Sequence, residues 1–197
     1  MSYRATIVIG QSKTADTRTC DFANVSKKTL LDSSVQHIGD VRRALAFFQA
    51  EVAEAATRHD EDKLTDIDGF HRDFTGGFVQ TTWWDAHRRL NRHHLQQADG
   101  VPEDVNLIDV LDFIADCVMA GMARSGSVRP LELDADLLMR AFQNTAALLA
   151  AHVVVSQADE PEDATDEEYD GPNEVDYDAE SGAETLDRLT ASARKLK

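Results

Sequence analysis

Between Val35 and His59 the chain runs without a proline and with one early glycine, Gly39. Through this stretch His37, Val41, Ala44, Phe48, Val52, Ala55 and His59 recur at steps of three or four, the spacing of one face of an α-helix. Asp32, Ser33 and Ser34 stand just before it, and their side chains suit the first helical amides. One long amphipathic helix is therefore the first expectation, and the rest of the fold has to pack along it.

Three further segments keep helical spacing. Residues 79–97 do so through Trp83, Trp84, His87, Leu90, Asn91 and His94, until Asp99-Gly100-Val101-Pro102 ends them. Asn106 is placed to cap a helix bearing Leu107, Val110, Leu111, Ile114, Val118 and Met122, which Gly126 and Pro130 stop. Asp134 or Asp136 starts a last one through Leu137, Leu138, Ala141, Phe142, Thr145, Leu148 and Leu149. The fold class read from these is all-α, a bundle of four or five helices over residues 34–156. Residues 4–10, β-branched and stopped by Gly10, read as a short strand in an N-terminal arm of residues 1–33. That strand needs a partner, in a hairpin or in another subunit.

The formal net charge of −16 is unevenly placed. Residues 157–184 hold thirteen Asp or Glu and no Lys or Arg, while 185–197 hold four basic residues and one acidic. That leaves 16 basic and 22 acidic residues in 1–156, a net of −6. Residues 157–197 thus read as a disordered acidic tail closed by a short basic amphipathic helix. Solubility and spacing are its plain role, and docking on a protein partner is the sharper one. The chain has no concentrated basic surface, so direct nucleic-acid binding is not expected. No apolar run approaches the length of a membrane span. Cys20 and Cys117 lie far apart and form no paired motif. A cytoplasmic, reducing setting is the expectation.

Five of the seven histidines fall between His59 and Asp116, beside aspartates at helical spacing. His87, Asn91 and His94 sit at i, i+4 and i+7, and Asp109, Asp112 and Asp116 at i, i+3 and i+7, so each set shares a helix face. Together with His59-Asp60, three helices would turn imidazoles and carboxylates toward one point, the way bundles build metal sites. The bland alternative is a set of solvated faces. The donor types suit Mn, Mg, Fe, Co or Zn without choosing among them. Trp83 and Trp84 are expected mainly in the core, and Cys117 as a small buried apolar group. No phosphate-cradling Gly-rich loop, nucleophile elbow or activated cysteine is present.

These residues form an ordered set of motifs. They are His37-Ile38-Gly39-Asp40-Val41, His59-Asp60-Glu61-Asp62-Lys63, His87 to Asn91 to His93-His94, Asn106-Leu107-Ile108-Asp109, and Asn144-Thr145. The set resembles the HD superfamily of metal-dependent phosphohydrolases, and most closely a poorly characterised branch common in phage and bacterial genomes. The resemblance covers about residues 35–150. That branch usually carries Glu where this chain has Asp112, which shortens the reach of that carboxylate.

The superfamily's pattern of a first helical His, a His-Asp pair and a distal Asp implies metal ligands at His59, Asp60 and Asp116. The first His does not transfer to His37. It lies 22 residues before His59, about 33 Å away along one helix. His94, His93 or His87 is left to supply the missing imidazole, with His94 the first choice, and His37 becomes a structural polar contact. The implied activity is divalent-metal hydrolysis of a nucleotide or another small phosphate ester. In that reading Lys63 meets the phosphate or pairs with Asp60 or Asp66. Asn91, His87 or His93 orients the ester or protonates its leaving group, and Asp112 supports them. The rival reading is a non-enzymatic binding or assembly protein that keeps the bundle and acts through its acidic tail. Self-association is open in both.

Overall fold

A computed structural model describes residues 6–97 and 99–157. Among them are six α-helices and one two-stranded parallel ribbon, so the mainly helical expectation holds. In chain order they are β1 (Ile7–Gly10), α1 (Lys27–Arg58), α2 (Glu61–Thr65), α3 (Ile67–Thr75), α4 (Thr82–Leu90), α5 (Leu107–Ser125), α6 (Ala135–Ala151) and β2 (Val153–Ser156). The expected acidic tail and its basic helix lie outside the described residues. No described helix is long and apolar enough to cross a membrane.

The long helix differs from the sequence reading in its start and in its inward face. The long helix starts at Lys27 rather than near Val35, because Ser26 caps it and its hydroxyl accepts from the Thr29 amide at 3.0 Å. Asp32, read as a cap, instead pairs with Lys28 one turn earlier. The expected stripe on this helix is also rotated. The face turned into the bundle is Ser33, Phe47 and Glu51, while Val41 and Val52 are exposed.

The lone strand finds its partner inside the chain. β1 runs parallel to β2, Ile7 opposite Val153 and Gly10 opposite Ser156. The run Val153-Val154-Val155, which follows directly on α6, was not read as a strand, and only its non-local pairing makes it one. Gln36 of α1 ties the ribbon down, its amide donating to the Gly10 carbonyl at 2.8 Å.

The core sits between α5, α6 and the loop before α5. Leu95, Val105, Val110, Phe113, Leu137 and Ala141 are buried there, with Val101, Leu107, Cys117 and Leu133 packed against them. Asn106 starts α5 with a reciprocal cap. Its side chain accepts from Ile108 and Asp109, and the Asp109 carboxylate accepts from the Asn106 amide at 2.9 Å. The Asn144-Thr145 pair holds that start from α6. Thr145 accepts from the Leu107 amide at 2.8 Å, and Asn144 donates to the Val105 carbonyl at 2.9 Å. Asp109 therefore does not join a ligand face with Asp112 and Asp116. It caps the helix and receives both arms of Arg92, at 2.7 and 2.9 Å. This bidentate pair anchors the His93-His94 turn to α5.

The α3–α4 hairpin supports the same turn from the other side. The Asp73 carboxylate, 3% exposed, accepts from the amides of Trp83 and Trp84 at 2.8 and 3.0 Å, which starts α4. Gly69 lets the two helices meet. A Cβ there would lie 2.6 Å from Trp83 Cδ1 and 2.4 Å from Asp66 Oδ2. Removing the buried cap with Asp73→Ala orphans two amides and is expected to lower stability by about 2–3 kcal/mol, read as a drop in urea midpoint at unchanged slope.

Candidate metal centre

The centre begins where α1 ends. Asp60 adopts φ 54° and ψ 18°, the left-handed region that a branched side chain enters only at a cost of roughly 1–3 kcal/mol. Asn91 sustains it. Its Oδ1 accepts from the Asp60 amide at 2.9 Å, and its Nδ2 donates to Asp62 Oδ1 at 2.9 Å. Because Asn91 is drawn toward α2, the helix expected over 79–97 stops at Leu90, with Asn91 as its C-cap. Asn91 and His94 thus do not continue the helical face of His87. The turn nevertheless returns His94 to it, and the two Nε2 atoms are 2.9 Å apart.

Two of the imidazoles are aimed by a carboxylate. Asp62 takes His87 Nδ1 at 2.8 Å, which turns His87 Nε2 toward Asp60 Oδ1 at 3.5 Å. Asp112 takes His59 Nδ1 at 2.8 Å, leaving His59 Nε2 3.6 Å from Asp60 Oδ2 and 4.0 Å from Asp116 Oδ1. His93 lies between them, Nε2 3.6 Å from Asp60 Oδ1 and Nδ1 3.5 Å from Asp112 Oδ2. A carboxylate on one ring nitrogen fixes the tautomer and leaves the lone pair on the other, the usual support of a metal-ligating histidine. Trp83 stacks on the fully buried His87 at 4.7 Å and 18°, so this indole packs in the core as expected.

Two donor sets result, each with its ligating atoms mutually within 4.8 Å: Asp60, His87 and His94, and next to it His59, His93 and Asp112. Asp60 lies between the two. The grouping revises the expected ligand set. Asp60 and His94 come together with His87, which was read as catalytic, whereas His59 groups with His93 and Asp112. Asp116 stands at the rim, its side chain 39% exposed. Lys63 bonds Asp60 Oδ2, the ion pair weighed from the sequence. His37 is exposed on α1, 22 residues before His59 and outside the centre. Cys117 is half-buried against the core, its thiol pushed up by burial and by Asp116.

The donor set fits a divalent ion on two grounds. Asp60 Oδ1 is buried without a hydrogen-bond partner, which strands charge away from water unless a cation or proton meets it. The Nε2 atoms of His87 and His94 stand 2.9 Å apart, where one ring can donate to the other or both can meet one ion once His94 presents its lone pair. Ligands bound at about 2.05 Å to one ion stand roughly 2.9 Å apart at right angles and roughly 3.3 Å apart at the tetrahedral angle. The observed 2.9 and 3.5 Å are close to that range.

The charges are graded across the centre. Burial pushes the Asp60 carboxyl up, but Lys63, His59 and His93 outweigh it and hold the group below its ordinary range. Asp112 is held down in the same way against burial, mainly by His93. Burial lowers His87 in spite of Asp62. It lowers His93 too, yet Asp112, Asp60 and Asp116 raise that imidazole overall. His94 is pushed down to about 4 by burial and then by His93 and His87. The turn therefore sets a histidine raised by carboxylates beside one lowered mainly by burial.

Sequence reasoning missed two functional residues. Asp62 was quoted only as part of a motif, although the carboxylate two residues after His59-Asp60 was the available signal. Asp73 had none, since its partners lie ten and eleven residues away. A cavity of about 650 Å³ adjoins His59, Asp62, Asn91 and Asp112, and a smaller one of about 210 Å³ adjoins His93, His94 and Asp116. No family model, curated protein or solved structure matches the chain.

Two outcomes follow for the metal-free protein. His94 should titrate near 4 and His93 above the ordinary 6.5 by NMR. Because the unfolded chain takes the His94 proton first, the stability from its neutral form is complete above pH 6.5 and lost as pH falls toward 4. Asp62→Ala should weaken divalent-ion binding about 10–100-fold by freeing the His87 ring, measured by calorimetry, with unchanged helical circular dichroism.

Proposed function

We propose that the chain is a divalent-metal-dependent phosphohydrolase acting on a nucleotide or another small phosphate ester. The observation that carries this reading is the buried, partnerless Asp60 Oδ1, faced by imidazoles that Asp62 and Asp112 hold in ligating orientation. A structural metal would need no such neighbours as Lys63 and a histidine made more basic by carboxylates. The likeness to the HD superfamily rests on the same residues and supports the reaction class.

Asp60, His87 and His94 would hold the ion. Once bound, it would supply Lewis-acid stabilisation of phosphoryl charge and a more acidic water. The chain's own groups do the rest. Lys63, a third exposed and over the Phe70 ring at 5.8 Å, brings a positive charge to the rim for a phosphate oxygen. His93, lowered by burial but raised overall by Asp112 and Asp60, is the group nearest the centre suited to give a proton to the leaving oxygen. Asn91 is a positioning residue, because its amide is already committed to Asp60, Asp62 and the His87 carbonyl. Its part is to hold the Asp60 turn, and it is not left to orient the ester.

The test is metal analysis of the purified full chain with a hydrolysis screen over nucleotides and small phosphate esters in Mn²⁺ and Mg²⁺. Asp60→Ala should abolish metal retention and activity together. Lys63→Met should keep the metal and weaken substrate binding, raising KM at least tenfold. A folded wild type that retains no divalent ion and hydrolyses none of these esters contradicts the proposal.

A further inference from the structure

α1 has two faces, and the outer one is the more apolar. Toward the bundle it buries Ser33, Phe47 and Glu51. Away from it Leu31, Ile38, Leu45 and Val52 recur at every seventh position, 60%, 48%, 61% and 41% exposed. Val35 and Val41 lie beside this row at 59% and 42%. At about 100° per residue the row stands roughly 140° around the helix from the buried face. A helix at the edge of a bundle normally turns charged and polar side chains to water. This one carries water-facing Leu, Ile, Leu and Val along about 31 Å of its length.

The interval of seven identifies what can cover the row. On a straight helix such a row drifts by about 20° per repeat, and it stays in contact only with another long helix that winds along it.

We propose that this face is the interface of a homodimer, in which α1 of one copy packs along α1 of another. Among the described helices α1 alone, at 32 residues, has the length and the seven-residue row to match itself. The row is also self-complementary under a two-fold axis. An antiparallel pair centred between Ile38 and Leu45 sets Leu31 against Val52 of the second copy and Ile38 against its Leu45. The exposed parts of these six side chains amount to roughly 500 Å² of apolar surface per copy. With both copies the buried area reaches on the order of 1,000 Å², the size that a specific interface requires. The row ends at Val52, about 10 Å along the axis from His59.

Light scattering on the full chain, over roughly 5–100 µM, tests this directly. The wild type should show twice the 21.8 kDa chain mass. Ile38→Glu with Leu45→Glu should show the single mass, a dissociation constant raised at least 100-fold, and unchanged helical circular dichroism and divalent-ion binding. Met139→Glu, at another exposed apolar position on α6, should leave the dimer intact. If the double Glu variant fails to fold, Leu31→Ser with Leu45→Ser carries the same comparison. A wild type of single mass throughout overturns the proposal, whether the row stays bare or is covered by another part of its own chain. A dimer that survives in a folded row variant overturns it as well.

Discussion

The structure depends on one hydrogen bond, from the Asp60 amide to the Asn91 side chain. A non-glycine residue held in left-handed backbone is unfavourable by itself, so something has to compensate for it. Here that contact joins the end of α1 to the end of α4. It stops α1 at Arg58 and turns the chain into α2, which sets Asp60 and Asp62 side by side. At its other end the contact stops α4 at Leu90, and the freed turn brings His93 and His94 back over His87. One amide thus decides the direction of two helices and the meeting point of five polar side chains.

Around that point the protein accepts an electrostatic cost. Asp60 is buried without a partner for one oxygen, and three imidazoles approach it at or beyond 3.5 Å rather than in hydrogen-bond contact. A core selected only for stability would satisfy or remove such a group. The supporting carboxylates, by contrast, are tightly paired: Asp62 on His87, Asp112 on His59 and Asp109 on Arg92. These carboxylates hold the rings while Asp60 Oδ1 is left open, which is the pattern of a site organised in advance for a cation. The gradient between His93 and His94 comes from the same arrangement, since carboxylates face one ring and burial governs the other.

Much of this was legible in the sequence, for physical reasons that can be named. Long helices announce themselves through spacing, and the Asn106 cap through the residues it serves, so α1, α5 and α6 were readable from local pattern. The exclusion of His37 needed only the rise of a helix, and its exposed position outside the centre agrees. The chemistry of His59, Asp60, His87, His93, His94 and Asp112 was readable as a density of donors. Their grouping was not. It depends on Asn91 leaving the helix for a tertiary contact, which helical phase alone cannot foresee. The pairing of β1 with β2 spans most of the chain and failed for the same reason. Which apolar face of α1 turns inward was ambiguous because the helix has two, and the inward one is partly polar. Asp73 and Asp62 act through backbone amides and a ring nitrogen, contacts that leave no periodic trace.

The central claim is that His87 and His94 present Nε2 to one divalent ion together with Asp60. Nitrogen-detected NMR of the imidazoles during titration of the metal-free chain with Zn²⁺ tests it most directly. The account predicts that Nε2 of His87 and His94 shifts to the metal-bound range at the first equivalent while their Nδ1 atoms stay protonated or unligated, with His37, His71 and His152 unchanged. A titration in which those three distant histidines respond first, or in which His87 and His94 do not respond, would contradict it.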